Sequence, residues 1–251
     1  MTLSSAFNLI NSSFGAIGAQ SATIASNVAN ANTTGYSRQV ANVVNDGYGG
    51  VAVYSVTRDA DSALAAKLNS ATSDSAAQSA IANGLATLAQ TVSDSSSATT
   101  TSGSLQNGAS PQAMLGNLAS ALATYQAQPD SAAAAQAAVL AASNLAASLN
   151  AGAKAVSDVR TQADKSIGQA VDQVNSLLTQ FQSVNNSIVM GLSSNANVSS
   201  LQDKRDSIVS QIAQQIGVST SVDGNGSMSI YTDTGLMLYQ NTPATLTFSP
   251  S

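Results

Sequence analysis

Two clusters in this chain gather side chains of the types that do chemistry. Asp203-Lys204-Arg205-Asp206 is the only dense run of charge. Its two carboxylates could serve as an acid–base dyad. Asp223-Gly224-Asn225-Gly226 resembles the start of a calcium loop. An EF-hand loop needs Gly at position 6 and a bidentate Glu at position 12. Counting from Asp223, those places hold Met228 and Thr234, so the segment reads as a hairpin turn. Asp203–Asp206 reads as a solvated helix face with local ion pairs, each worth roughly a few tenths of a kcal/mol. Gly47, Gly49 and Gly50 lack the following helix that a phosphate-binding fingerprint requires. The Asn-x-Ser/Thr triplets starting at Asn11, Asn32, Asn185 and Asn197 are expected in a chain so rich in Asn, Ser and Thr.

Composition narrows the chemistry further. The 251 residues include no Cys, His or Trp. Thiolate nucleophiles, disulfides and the commonest metal ligand are therefore absent. Eight basic residues against thirteen acidic ones give a net charge of −5. A nucleic-acid binder needs a clustered basic footprint instead. Charged residues make up 8%, against about 25% in ordinary soluble domains. No run of about 20 apolar residues exists, so no membrane insertion is expected. No basic n-region opens the chain, so no cleaved signal peptide is expected. No catalytic residue, metal or cofactor is expected.

The elements that carry these residues are mainly helical. Leu3, Phe7, Ile10, Phe14, Ile17, Ser21, Ile24 and Val28 keep 4-3 spacing, an a/d stripe over almost four heptads. The first charge in the chain is Arg38. A helix with a neutral outer face is suited to packing on more than one side. It should end near Asn30, where Asn30-Ala31-Asn32-Thr33-Thr34-Gly35 forms a turn. An extended stretch follows from Val40 to Val44, then a loop over 46–50 and a short strand near 51–56. Asp59 or Asp61 caps a helix carrying Leu64 and Leu68, continued by Ile81, Leu85, Leu88 and Val92. Residues 93–110 read as a polar linker. Pro111, behind a Ser110 cap, opens another helix. A very long helical region runs from about Ser131 to Met190, with a bend near Gly152 or Gly168. Its stripe is Ala163, Ile167, Ala170, Val174, Leu177, Phe181, Val184 and Ile188. After a break over 191–200, Leu201, Arg205, Ile208, Ile212 and Ile216 form a helix closed by Gly217. A hairpin over 218–231 and a third strand over 236–239 follow, with a fourth over Leu246 to Phe248. The expected fold is mainly α: a long helical rod or coiled-coil-like bundle with a small antiparallel β element near the C-terminus. The expected divisions are 1–40, 41–216 and 217–251.

Asn27, Asn30, Asn32, Thr33, Gly35 and Tyr36 fall on a pattern of asparagines, then Thr-x-Gly-aromatic, behind a neutral first helix. This resembles the N-terminal signature of bacterial flagellar axial proteins, the rod, hook and hook-associated components. The Arg38-Gln39 ending is most similar to the hook-associated protein 1 branch. Val56 to Asp61, Gln128 to Ser131, Val184 to Ile188 and Leu201 to Asp206 resemble further segments of that branch, in order.

The resemblance implies structural work at the hook–filament junction, outside the cell. It implies export through the flagellar type III route without a cleaved signal. Partners would be the hook protein, the next hook-associated protein, other copies of the chain and an export chaperone. No nucleic acid and no membrane are among them. The axial packing residues would be Leu3, Phe7, Ile10, Phe14, Ile17, Ile24 and Val28. The signature loop would comprise Asn27, Asn30, Asn32, Thr33, Gly35, Tyr36, Arg38 and Gln39, and the rod motif Asp203, Arg205 and Asp206. The family's chains finish with a second helical segment that pairs with the first. This chain stops at Ser251, as a fragment or truncated product would, so its stripe is expected to be exposed, frayed or packed on another molecule. Within the axial class the rival is a rod or hook component. Outside it, the rival is a secreted helical interaction protein such as an adhesin.

Overall fold

The structure is a computed structural model that describes residues 3–45, 49–92 and 110–250, with Ser5, Thr91 and Val92 described as backbone alone. Most of the expected 46–50 loop and of the 93–110 linker lies outside the described residues. The elements are α1 (Leu3–Ala29), β1 (Gln39–Asn45), β2 (Val51–Arg58), α2 (Ser62–Val92), α3 (Pro111–Ala127), α4 (Ala132–Ser193), α5 (Ser199–Ala213), β3 (Val218–Val222), β4 (Met228–Thr232), β5 (Met237–Gln240) and β6 (Thr242–Pro243). They form two compact units, 1–76 with 170–247 and 77–169 with 248–251. The units cut the chain differently from a linear division at 40 and 216. Position 40 lies inside β1, whose partner strand is β2.

The first unit contains the apolar core. Val174, Leu177, Leu178, Phe181, Val184 and Ile188 on α4 pack with Ile208, Val209 and Ile212 on α5 and with Met228, Ile230, Leu238 and Tyr239 of the sheet. The 4-3 stripe read from the sequence is thus buried over its second half, while Ile167 is exposed. The sheet order is β3-β4-β5-β6, all antiparallel. Alternation along β4 puts Met228, Ile230 and Thr232 inside. A register shift between β4 and β5 sets Leu238 beside the regular pairs, so Leu238 and Tyr239 are both buried although consecutive. The Tyr239 ring meets Phe181 edge to face at 4.9 Å.

Three local expectations are corrected here. Helix α5 ends at Ala213, before Gly217, and Gly217 is not among the glycines at positive φ. A Cβ at Gly217 would stand 2.9 Å from the Asp233 carboxylate, so that side chain would have to give way. The fourth strand is Thr242–Pro243, not 246–248. Leu246 instead pairs its backbone with a side chain: the Asn175 amide accepts from Leu246 N–H at 2.9 Å and donates to its carbonyl at 2.9 Å. The 191–200 break begins later, since α4 runs to Ser193 and turns at Asn195, whose φ is 54°.

In the same unit, β1 and β2 form an antiparallel ribbon, Gln39 opposite Arg58 and Asn45 opposite Val51. Pairing passes from Asn42–Ser55 to Val43–Val53. Tyr54 is therefore the extra residue of a bulge and is exposed.

The second unit holds the end of α2, α3 and the start of α4. Ser110 caps α3 by accepting from Ala113 N–H, with Pro111 in its first turn. Ser131 caps α4 in the same way. Small side chains, Ala134, Ala138 and Ser148, are the buried ones on α4 here. Helix α4 is unbroken at Gly152 and Gly168, 62 residues or about 90 Å at 1.5 Å per residue. An 18-residue window of it averages a hydropathy of 1.4 with 17% buried, which passes the length and composition test for a bilayer span. That corrects the expectation that nothing in the chain is long and apolar enough. The apolar character of the uncharged stretch 132–153 comes largely from alanine, interrupted by Gln136, Ser143, Asn144, Ser148 and Asn150.

Candidate assembly surface

Helix α1 carries two faces offset by one residue. Ala6, Leu9, Ser13, Ala16, Gln20, Thr23 and Asn27 repeat at 3-4 spacing and are buried or half-buried. Contacts with β1 and β2 run along α1, and Leu9 lies within van der Waals reach of a Cβ built at Gly49. From Phe7 onward each stripe residue follows one of these by a single position, a rotation of about 100°. Leu3, Phe7, Ile10, Phe14, Ile17, Ile24 and Val28 are therefore turned away from the ribbon and are 53–89% exposed. The helix packs through its small and polar side chains and presents its large apolar ones.

The turn after α1 is held by the signature residues themselves. Asn27 Oδ1 accepts from Gln39 N–H at 2.8 Å and from the Tyr36 hydroxyl at 2.9 Å. Asn27 Nδ2 donates to the Gln39 carbonyl at 2.8 Å. Asn30 Nδ2 donates to the Ser26 carbonyl, and the Thr33 hydroxyl donates to Asn30 Oδ1. Gly35 turns at φ 82°, in the left-handed region that favours glycine. Among the described residues Asn32 makes no side-chain hydrogen bond, and it is exposed. Arg38 points away from this network to Asp59, an exposed pair.

The rod motif departs from its solvated reading. Asp203 and Arg205 are buried. Asp203 Oδ1 accepts from Arg58 Nη1 at 2.8 Å, Asp206 Oδ2 from the same nitrogen at 2.7 Å, and Asp203 Oδ2 from Ser37 N–H at 3.2 Å. The partners are 145 to 166 residues away, not on the same helix. Burial acts to lower the Arg58 pKa, but its bonds to Asp203 and Asp206 outweigh it and raise the pKa above the ordinary value. Arg58 thus stays cationic, and its contribution would be lost only above the ordinary arginine range.

Arg205 does not join this cluster. Its Nη1 donates to Asn185 Oδ1 at 3.1 Å and to the Gly226 carbonyl at 2.8 Å. Asn185 Oδ1 also accepts from Met228 N–H, and its Nδ2 donates to Ser227 Oγ. Burial lowers the Arg205 pKa, Asp206 opposes that, and the nearby charge of Arg58 adds to it. The motif therefore splits. Asp203 and Asp206 face the N-terminal ribbon, and Arg205 pins the β3–β4 turn. Arg58, Ser37 and Asn185 are structural partners to which sequence reasoning gave no site role. The signal for a buried Arg205 was its place on the Leu201–Ile208–Ile212 stripe.

The family model described as "Flagellar hook-associated protein FlgK helical domain" matches residues 105–250. The chain belongs to the FlgK family. A second family model, "Flagella basal body rod protein", matches residues 18–36 of this FlgK-family chain. The chain is 35% identical over 89 residues to flagellar hook-associated protein 1 of Escherichia coli (strain K12), an alignment covering 35% of this chain and 16% of that protein. It is also similar to the solved hook junction protein FlgK of Burkholderia pseudomallei, with 26% identity, a TM-score of 0.59, and 70% of this chain and 29% of that one covered. The matches thus span well under half the length of either relative. Within the FlgK-family chain, Asn27–Tyr36 lies in the rod-protein match and Asp203–Asp206 in the helical-domain match. The Ser37–Asp203 bond starts one residue past the rod-protein match.

Proposed function

We propose that this FlgK-family chain is a non-catalytic structural subunit of the hook–filament junction, and that α1 is its assembly surface. One observation carries the reading: seven large apolar side chains at heptad spacing are exposed on a helix whose adjacent face is already packed. The stripe takes another neutral apolar helix. The signature loop Asn27–Gln39 sets the angle at which α1 leaves the ribbon. Its partners are the hook protein, the next hook-associated protein and further copies of itself, with a chaperone covering the stripe before export. The location is the flagellum outside the cell, reached by the type III route without a cleaved signal.

The test is a strain lacking its own junction protein and supplied with the full-length gene carrying Phe7, Phe14 and Ile24 all changed to Ser. Export of the variant, folded once outside the cell, with loss of filament attachment is expected. Normal filaments on that strain would overturn the reading. Gly35→Val separates it from an adhesin, since attachment should fail while a free adhesin would still bind its target.

A further inference from the structure

We infer that Asp203 is the anchor by which α5 holds the N-terminal segment Leu3–Arg58, and that this anchor is a releasable ionic clasp outside the apolar core. The fourteen buried residues of the core all lie between Val174 and Tyr239. Within Leu3–Arg58, among the described residues, Ala16 is the only buried apolar side chain, and it sits on the face of α1 next to the ribbon. The segment is held together internally by the Asn27–Gln39–Tyr36 network and the β1–β2 ladder. Its contacts with α5 are different in kind. Ser37 N–H and Arg58 Nη1 make three polar contacts there, all ending on the carboxylates of Asp203 and Asp206.

Arg58 and Asp203 keep 13% and 11% of their side-chain surface exposed, and Asp206 keeps 40%. The clasp is dry enough for its bonds to count and open enough on the Asp206 side for salt to reach it. An apolar seam would respond oppositely, since salting-out ions strengthen burial. One carboxylate serves both ends of the segment's return path. Asp203 takes the backbone just before β1 and the side chain that ends β2. Releasing it frees α1 and the ribbon together while the core keeps every one of its apolar contacts. The clasp stands on geometry alone. Its value for assembly, fixing where the α1 stripe is presented, rests on the junction reading above.

Amide exchange on the 251-residue chain tests the clasp in solution. Arg58→Met keeps the side-chain stem and removes the charge, and Asp203→Ala removes the acceptor. Each should speed exchange over residues 27–58 by about ten- to a hundredfold, as expected for charge-assisted bonds. Exchange in the core over 174–239 should not change. Arg58→Met leaves the Ser37–Asp203 bond and Asp203→Ala leaves the Arg58–Asp206 pair. The double variant should therefore exchange faster than either single but by less than the product of their effects. Sodium chloride should speed the segment in the wild type but not in Arg58→Met. Unchanged exchange over 27–58, or equal acceleration of segment and core, overturns the clasp. Filament attachment is scored separately in cells. If the variants loosen the segment yet attach filaments normally, the clasp stands and its role in presenting the stripe falls.

Discussion

The Asn27 side chain meets Gln39 as one strand meets another. Its amide donates to the Gln39 carbonyl and accepts from the Gln39 N–H, both at 2.8 Å, across 12 residues. An asparagine on the last turn of α1 thereby starts the ladder that β1 continues with β2. Asn27→Asp keeps the shape but loses the donor and sets a carboxylate against a carbonyl. It should destabilise the α1–ribbon joint by about 1–3 kcal/mol. Exchange of the Gln39 amide, compared with that of Asn27→Gln, measures the loss.

The two faces of α1 should respond in opposite ways. Phe14→Ser alters an exposed side chain and should shift stability by less than about 0.5 kcal/mol in a urea melt. Ala16→Leu, two residues on and across the helix, forces bulk between helix and ribbon. It should cost about 1–3 kcal/mol. If Phe14→Ser proves the more damaging of the two in the isolated chain, the helix is packed the other way round.

Asn185 joins α4, α5 and the β3–β4 turn. Asn185→Ala leaves the buried Arg205 guanidinium and the Met228 N–H without that acceptor. A loss of about 2–3 kcal/mol is expected, because an unsatisfied buried group costs more than a bond contributes. Urea midpoints at unchanged slope would show it.

Two glycines at positive φ should differ. At Gly35 nothing lies within 4 Å of an added Cβ, so Gly35→Ala carries only backbone strain of about 1–2 kcal/mol. At Gly226 the Cβ would also meet Leu192 Cδ1, so that side chain would have to shift. Gly226→Ala should therefore cost more than Gly35→Ala, read by the same melts. Asn is the substitution that Gly35 should tolerate best.

Much of this was legible in the amino acids, for physical reasons. Periodicity reports on one element at a time, so the heptad of α1, the stripe of α4 and the Ser110–Pro111 start of α3 could all be read. Turn chemistry marked Gly35 and Gly226, both of which have positive φ. Pairings between distant segments were not legible. Nothing near Asp203 in sequence points to Arg58, so the cluster read as a solvated helix face. The strand expected over 246–248 failed because Leu246 found its partners in the Asn175 amide, which has no strand signature. The presence of an apolar stripe at Leu3–Val28 was readable. That the ribbon would take the neighbouring small-residue face instead was not, since both faces keep the same 4-3 period.

Asn27, Asn175 and Asn185 each use one amide, as donor and acceptor together, to receive a piece of backbone or a turn. Such joints do not titrate. With no His and no Cys in the chain, no side chain has an ordinary pKa between about pH 5 and pH 8. The consequence is that these three amide joints are indifferent to acidity across that interval. Urea midpoints taken across that interval should coincide, and a strong drift within it would show that a carboxylate, not an amide, governs the joint.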